Sequence, residues 1–190
     1  KQSRLGVPTP NDPLYVDQWY IPEVKADSLW MTTTGDTTII ISILDTGVDY
    51  LHPDLINKIW TNYNEIPDNG IDDDNNGYID DYLGWNSNED NDNIDNDDHG
   101  TSVSGIIGAK GNNGIGVAGV NWNVKIMTIN AMPAPESGVV AAYSYVWTQR
   151  KRYNDTNGAE GAFVVAANSS FGIGISAEEA PIWCDFYNVM

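Results

Sequence analysis

The chain has 190 residues, 41% of them hydrophobic, with ten Tyr and seven Trp. That is enough apolar material for one domain with a core, and it excludes wholesale disorder. A net charge of −18, nine Lys plus Arg against 27 Asp plus Glu, excludes a partner read through a phosphate backbone and so predicts no nucleic acid binding. No apolar run reaches the roughly 18 residues of a membrane span, so no membrane insertion is expected. The start at Lys1 has no stretch of signal-peptide type, so any targeting segment is expected to have been removed or to lie outside this sequence.

In chain order, Pro8, Pro10, Pro13 and Pro22 predict an extended arm that leads into a short helix near Ala26 to Met31. Thr38 to Leu44 is a β-branched apolar run of the kind buried on both faces of a parallel sheet, and it ends at Asp45-Thr46-Gly47. The stretch from about Asn57 to Asp98 is rich in Asn, Asp and Gly. It reads as loop, with turns at Gly77 and Gly84 and one short strand around Tyr82 to Trp85. Thirteen of the 27 carboxylates fall between Glu65 and Asp98, with no Lys or Arg between Lys58 and Lys110, so this region repels itself unless cations enter it.

At or beside His99 a helix begins, whose small residues as far as Ala109 let it press closely on a sheet. Val124 to Ala131 predicts a third strand. Ser137 to Tyr153 predicts a helix with Val139, Ala142, Tyr143 and Val146 on one face and Arg150-Lys151-Arg152 at its C-terminal end, where the basic triplet suits the helix dipole. Asn157-Gly158 turns the chain, Gly161 to Ala167 predicts a fourth buried strand, and Ala177 to Asn188 another helix. Strands alternating with helices predict an α/β parallel sheet, with no linker to divide residues 1–190. The single cysteine, Cys184, has no internal disulfide partner, and its neighbours Trp183 and Phe186 predict a buried thiol.

Asp45 sits at the C-terminal end of a buried strand, where open α/β sheets place their active sites. An Asp-Thr-Gly turn could equally be only a turn, or one half of an aspartic-protease dyad, which would need a second such motif or a symmetric dimer. His99, one of two histidines, follows an acidic loop and opens a helix, which lets its ring reach the strand ends near Asp45. A histidine there could also be a helix cap or a solvated loop residue. Paired with Asp45 it has the makings of a general base, because a buried carboxylate accepting Nδ1–H fixes the tautomer and stabilises the imidazolium.

Ile43-Leu44-Asp45-Thr46-Gly47-Val48-Asp49, His52-Pro53-Asp54-Leu55, and Asp98-His99-Gly100-Thr101 with Val103 and Gly105 resemble the two signature blocks of the subtilisin-like serine proteases, the subtilases. The resemblance runs from Asn11-Asp12-Pro13 to Ser170-Phe171-Gly172. It implies a three-layer parallel-sheet subtilisin-like fold, here truncated after about the fourth strand. It further implies a serine endopeptidase that hydrolyses peptide bonds with an Asp-His-Ser triad, in which Asp45 orients the general base His99. The order Asp, His, Ser is that of subtilisin itself. Ser102 stands where subtilases most often carry a second His.

The family's Gly-Thr-Ser-Met block and oxyanion-hole Asn find no counterpart in residues 1–190, so this chain alone is expected not to hydrolyse peptides, and a sheet ending at the fourth strand is expected to expose an apolar edge. Ser170, Phe171 and Gly172 match the segment that pairs with an extended polypeptide substrate through main-chain hydrogen bonds. Further partners implied are a propeptide and the missing C-terminal half, and the implied location is secreted or cell-surface. A non-catalytic, calcium-stabilised module or pseudo-peptidase is the alternative.

Calcium is the expected cofactor. Asp72, Asp74 and Asn76, then Gly77 and the Tyr78 carbonyl, follow the start of an EF-hand-like loop, although the twelfth position is Leu83, leaving Asp80 or Asp81 to complete the shell. The other reading is a solvated acidic loop. A second structural calcium site follows from the subtilase resemblance alone: Asp12, Asp54, Asn113 and the carbonyls of Lys110, Ile115 and Val117.

Overall fold

A computed structural model of the chain describes residues 9–172, 174, 176 and 178–187. After a 3₁₀ turn at Tyr15–Asp17 come α1 (Tyr20–Glu23), α2 (Ala26–Leu29), β1 (Ile40–Asp45), β2 (Gly84–Asn86), α3 (Asp98–Gly108), β3 (Lys125–Asn130), α4 (Glu136–Asp155), β4 (Val164–Ser169) and α5 (Pro181–Tyr187). The expected helix over Ala177 to Asn188 has both its ends outside the described residues. Four parallel strands form one sheet in the order β2-β3-β1-β4.

The apolar run of β1 is buried because both its faces are covered. Ile43 meets Ile126, Val48, Leu55, Ile59 and Ala109 on the α3 side. Ile40 and Leu44 meet Met127, Ile129 and Val164 together with Val139, Ala142 and Val146 of α4 on the other. This is the three-layer arrangement of a parallel α/β sheet. Close approach of α3 requires glycine: a methyl group on Gly108 would lie 3.1 Å from both Ile126 and Val124 side chains. Register then sets the site. Asp45 pairs with Asn130, which pairs with Asn86, and Leu44 pairs with Ser169, so the C-terminal ends of all four strands form one line of polar residues.

Two expectations are corrected. β4 is buried only at Val164, while Val165, Ala166 and Ala167 are exposed, because β4 lies at the edge of the sheet. Cys184 is exposed, not buried, because Trp183 and Phe186 turn toward α4 and leave the thiol on the other side of a short helix. The basic triplet lies at the C-terminal end of its helix, with Arg152 in the last turn before Asp155. Each member has a separate role. Arg150 stacks 4.4 Å over Phe163 and donates to the Val164 carbonyl, Lys151 pairs with Asp155, and Arg152 donates to the Asp74 and Asn75 carbonyls and to Glu160.

The acidic loop is fastened to α4 by buried groups. Tyr145 OH and Gln149 Nε2 donate to Asp81 Oδ2 at 2.7 and 2.8 Å, all three residues being fully buried. Removing a donor from a buried carboxylate costs more than the bond itself contributes, because the acceptor is left short of a partner. Tyr145→Phe is therefore expected to lower the unfolding free energy by about 1–3 kcal/mol, read from urea denaturation of the two proteins side by side.

Candidate active site and acidic cluster

Asp45, 2% exposed, ends β1, and one of its oxygens gathers three contacts. Oδ1 lies 2.7 Å from His99 Nδ1, 2.8 Å from the Thr46 amide and 3.2 Å from the Thr46 hydroxyl. Its other oxygen, Oδ2, is buried and receives no hydrogen bond among the described residues. His99, 57% exposed, stands on the first turn of α3. An ionised carboxylate can only accept, so Nδ1 carries the proton and Nε2, which has no protein partner among the described residues, is left as the free base. The hydrogen bond to Asp45, then the charge of Asp45, raise the imidazole above its ordinary value. The other histidine, His52, accepts the Asp54 amide at 3.2 Å and takes no part in this pair.

Contacts between the turn after β1 and the start of α3 hold the two groups in place. Asp97 caps α3 by accepting the His99 amide at 2.8 Å, and its carbonyl accepts the Thr101 hydroxyl at 2.6 Å. Thr101 Oγ1 in turn accepts the Asp49 amide at 2.7 Å. Asp95 takes the Val48 amide on its carbonyl and the Asn130 side-chain amide on its carboxylate. No side chain separates the two segments: a methyl on Gly100 would sit 2.0 Å from the Gly47 carbonyl oxygen, and one on Gly47, at φ +128°, 2.2 Å from that of Asp95. Thr46, Asp97 and Thr101 were not singled out by the sequence, although Asp97 two residues before a helical His is an N-cap signal.

The acidic loop is held together by its own backbone amides. Asp72 turns both oxygens onto the Asn76 and Gly77 amides, Asp80 onto those of Asn69 and Gly70, and the Asn76 oxygen accepts the Tyr78 amide. Asp74 and Asp81 instead converge with Glu65, each offering an oxygen within 4.8 Å of the others. Glu65 Oε2 and Asp74 Oδ1 are buried without a hydrogen-bond donor, and the nearest cation, Arg152, is 3.6 Å from Asp74. Burial first, then neighbouring Asp74, raises the Asp81 carboxyl to about 7, against the donors Tyr145, Asn62 and Asn76. Glu65 is raised by burial too, and by Asp74, Asp72 and Asp73. Orphaned, buried oxygen ligands of this kind suit a hard divalent cation. Glu65 had no local signal, since it lies seven residues before the loop motif and joins it only through folding.

The residues of the second expected calcium set are linked by amide hydrogen bonds. Asp12 accepts the Asn112 and Asn113 amides, while Asp54 accepts the Asn113 side-chain amide at 2.9 Å and the Val117 amide at 2.9 Å, and the Lys110 amide reaches the Asp54 carbonyl. Ile115 donates its amide to Asn113 Oδ1. Ser170, Phe171 and Gly172 follow directly on β4, with Phe171 packed on Trp183, their rings 6.1 Å apart.

The Gly47–Gly100 contact gives a direct test of this geometry. Gly100→Ala is expected to push α3 off the turn, to cost about 1–3 kcal/mol of stability as overpacking does, and to abolish the downfield Nδ1 proton resonance of His99 in an NMR spectrum.

Residues 36–178 match the Subtilase family, Peptidase_S8. The chain is 44% identical over 125 residues to "Subtilisin-like protease 1" of Plasmodium berghei, covering 64% of this chain and 21% of that one. It is 34% identical over 134 residues to "Thermophilic serine proteinase" of Bacillus sp. strain AK1, covering 70% and 28%. It thus spans between a fifth and three tenths of the length of these relatives. Among solved structures, a protease of Pseudoalteromonas arctica superposes with a TM-score of 0.61 at 25% identity, over 96% of this chain and 56% of that one. With three quarters of its residues matching, the chain belongs to the subtilase family.

Proposed function

We propose that this chain supplies the acid and base of a subtilisin-type serine endopeptidase. The observation that carries this reading is the 2.7 Å contact between a buried Asp45 and a solvent-facing His99 at the C-terminal end of a parallel sheet. With Nδ1–H committed to Asp45, Nε2 takes the proton of an attacking serine hydroxyl and later returns it to the leaving amine. Asp45 keeps the ring in the productive tautomer and stabilises the imidazolium between those steps. The serine and its oxyanion-hole partner come, on this reading, from a segment outside residues 1–190, in keeping with the much greater length of the relatives. Extended polypeptides are the substrates, pairing their main chain along Ser170 to Gly172.

Calcium is the structural cofactor of this reading. Glu65, Asp74 and Asp81 would hold one ion and neutralise the loop, and Asp12, Asp54, Lys110, Asn113, Ile115 and Val117 a second that pins the N-terminal arm. Neither takes part in proton transfer. Sites built from carboxylates and carbonyls can be filled at the calcium levels outside cells, which fits a secreted or cell-surface protease.

In the full-length protein a serine-directed fluorophosphonate is expected to block casein cleavage and to label one serine outside residues 1–190, and Asp45→Asn to lower kcat by about 10⁴-fold. Protein that takes no label and cleaves nothing would instead be a non-catalytic module.

Calcium binding has its own sign. The folded chain holds a proton on Asp81 that the unfolded chain has lost between its ordinary 3.8 and about 7, so this group's contribution to stability falls as pH rises through that range. A cation requires the ionised carboxylate, so millimolar calcium is expected to raise the melting temperature more at pH 8 than at pH 5. Glu65→Gln should diminish that rise, and chelation with EDTA should remove it.

A further inference from the structure

The Thr46 hydroxyl has one proton and two carboxylates within reach. Asp97 Oδ1 is 2.5 Å from Thr46 Oγ1, and Asp45 Oδ1 is 3.2 Å from it. The same Asp97 oxygen accepts the His99 amide at 2.8 Å. A hydroxyl donates its single proton to the nearer, better-placed acceptor, so Asp97 takes it, and Asp45 Oδ1 is left with the Thr46 amide and His99 Nδ1 as its donors.

We propose that Asp97 is a positioning residue for the Asp45–His99 pair: one carboxylate oxygen ties the turn after β1 to the first turn of α3, and by holding the Thr46 proton it keeps the charge of Asp45 available to the imidazole. The proposal rests on the reading of Asp45 and His99 as the acid–base pair. Asp97 is half-exposed and touches no reacting atom, so its effect is transmitted through Thr46, through the His99 amide, and through its own negative charge beside the ring. The ionised groups that act on His99 are Asp45 from β1 and Asp97 from the turn before α3. Among the described residues the charges that act on the ring are both negative, so removal of either carboxylate shifts the balance in one direction.

The arrangement separates two roles that an N-cap usually combines. Asn caps a helix about as well as Asp, and its side-chain oxygen can still accept from both Thr46 and the His99 amide. Asp97→Asn therefore keeps the geometry and removes only the charge, whereas Asp97→Ala removes the cap and frees the Thr46 proton to turn onto Asp45.

The test is an NMR pH titration of the two histidines in the 190-residue chain, with His52 as internal reference. Asp97→Asn is expected to move the His99 midpoint downward while leaving His52 and the melting temperature unchanged, and Asp97→Ala to move it further down with a loss of stability. A His99 midpoint that stays at the wild-type value in Asp97→Ala, where the Thr46 proton is freed, would overturn the proposal and leave Asp97 as a helix cap alone. Asp45→Asn distinguishes this failure from that of the underlying reading: if His99 is unmoved by Asp45→Asn as well, it is the acid–base pair that fails.

Discussion

A carboxylate closing a strand that is buried on both faces must find donors, since an unpaired buried charge costs on the order of several kcal/mol. Asp45 finds them in the Thr46 amide and in His99, and each brings a constraint. The first folds the chain sharply after β1. The second requires α3 to begin within hydrogen-bond reach of a strand end, and only a glycine at position 100 lets it come that close to the Gly47 carbonyl. The crossover from β1 to β3 is thus anchored at the point where a strand, a turn and a helix meet, and both β3 and β4 pair in parallel with β1.

The acidic loop has a comparable problem with far more charge. Some of its carboxylates are answered locally, by amides of the turns that they themselves shape: Asp72 by Asn76 and Gly77, Asp80 by Asn69 and Gly70. Glu65, Asp74 and Asp81 instead gather in one cluster. Of these, Asp81 sits deep enough to lean on α4 for its donors, and Asp74 accepts the Asn62 side-chain amide at 3.0 Å on one oxygen while Arg152 stays 3.6 Å from the other. The loop is therefore partly a product of its own hydrogen bonds and partly dependent on what neutralises that inner trio.

Much of this was legible because periodicity and burial speak locally. The run from Thr38 to Leu44 announced β1, and the structure shifts it only to Ile40–Asp45; Ser137 to Tyr153 announced α4, which extends to Glu136–Asp155. Asp45 and His99 were legible because each sits at a boundary, a strand end and a helix start, where chemistry concentrates. What was not legible is what depends on contacts distant in sequence. Tyr145 and Gln149 read as one more apolar or polar position on a helix, yet they face Asp81 across more than sixty residues of chain. Glu65 joined the trio on the same terms. β4 looked as buried as β1, since an apolar run does not say whether a strand lies inside a sheet or at its edge.

Arg152 makes one consequence concrete. Its guanidinium grips the Asp74 and Asn75 carbonyls from the last turns of α4, one turn beyond Gln149, which holds Asp81 and whose carbonyl accepts the Ala162 amide just ahead of β4. The helix is thus clamped at one end by the acidic loop and at the same end by the entry to the edge strand. Any load that tightens or loosens the loop therefore reaches the entry to β4 across little more than one turn of helix, Gln149 to Arg152, which leaves the loop and the strand leading to Ser170 mechanically in series.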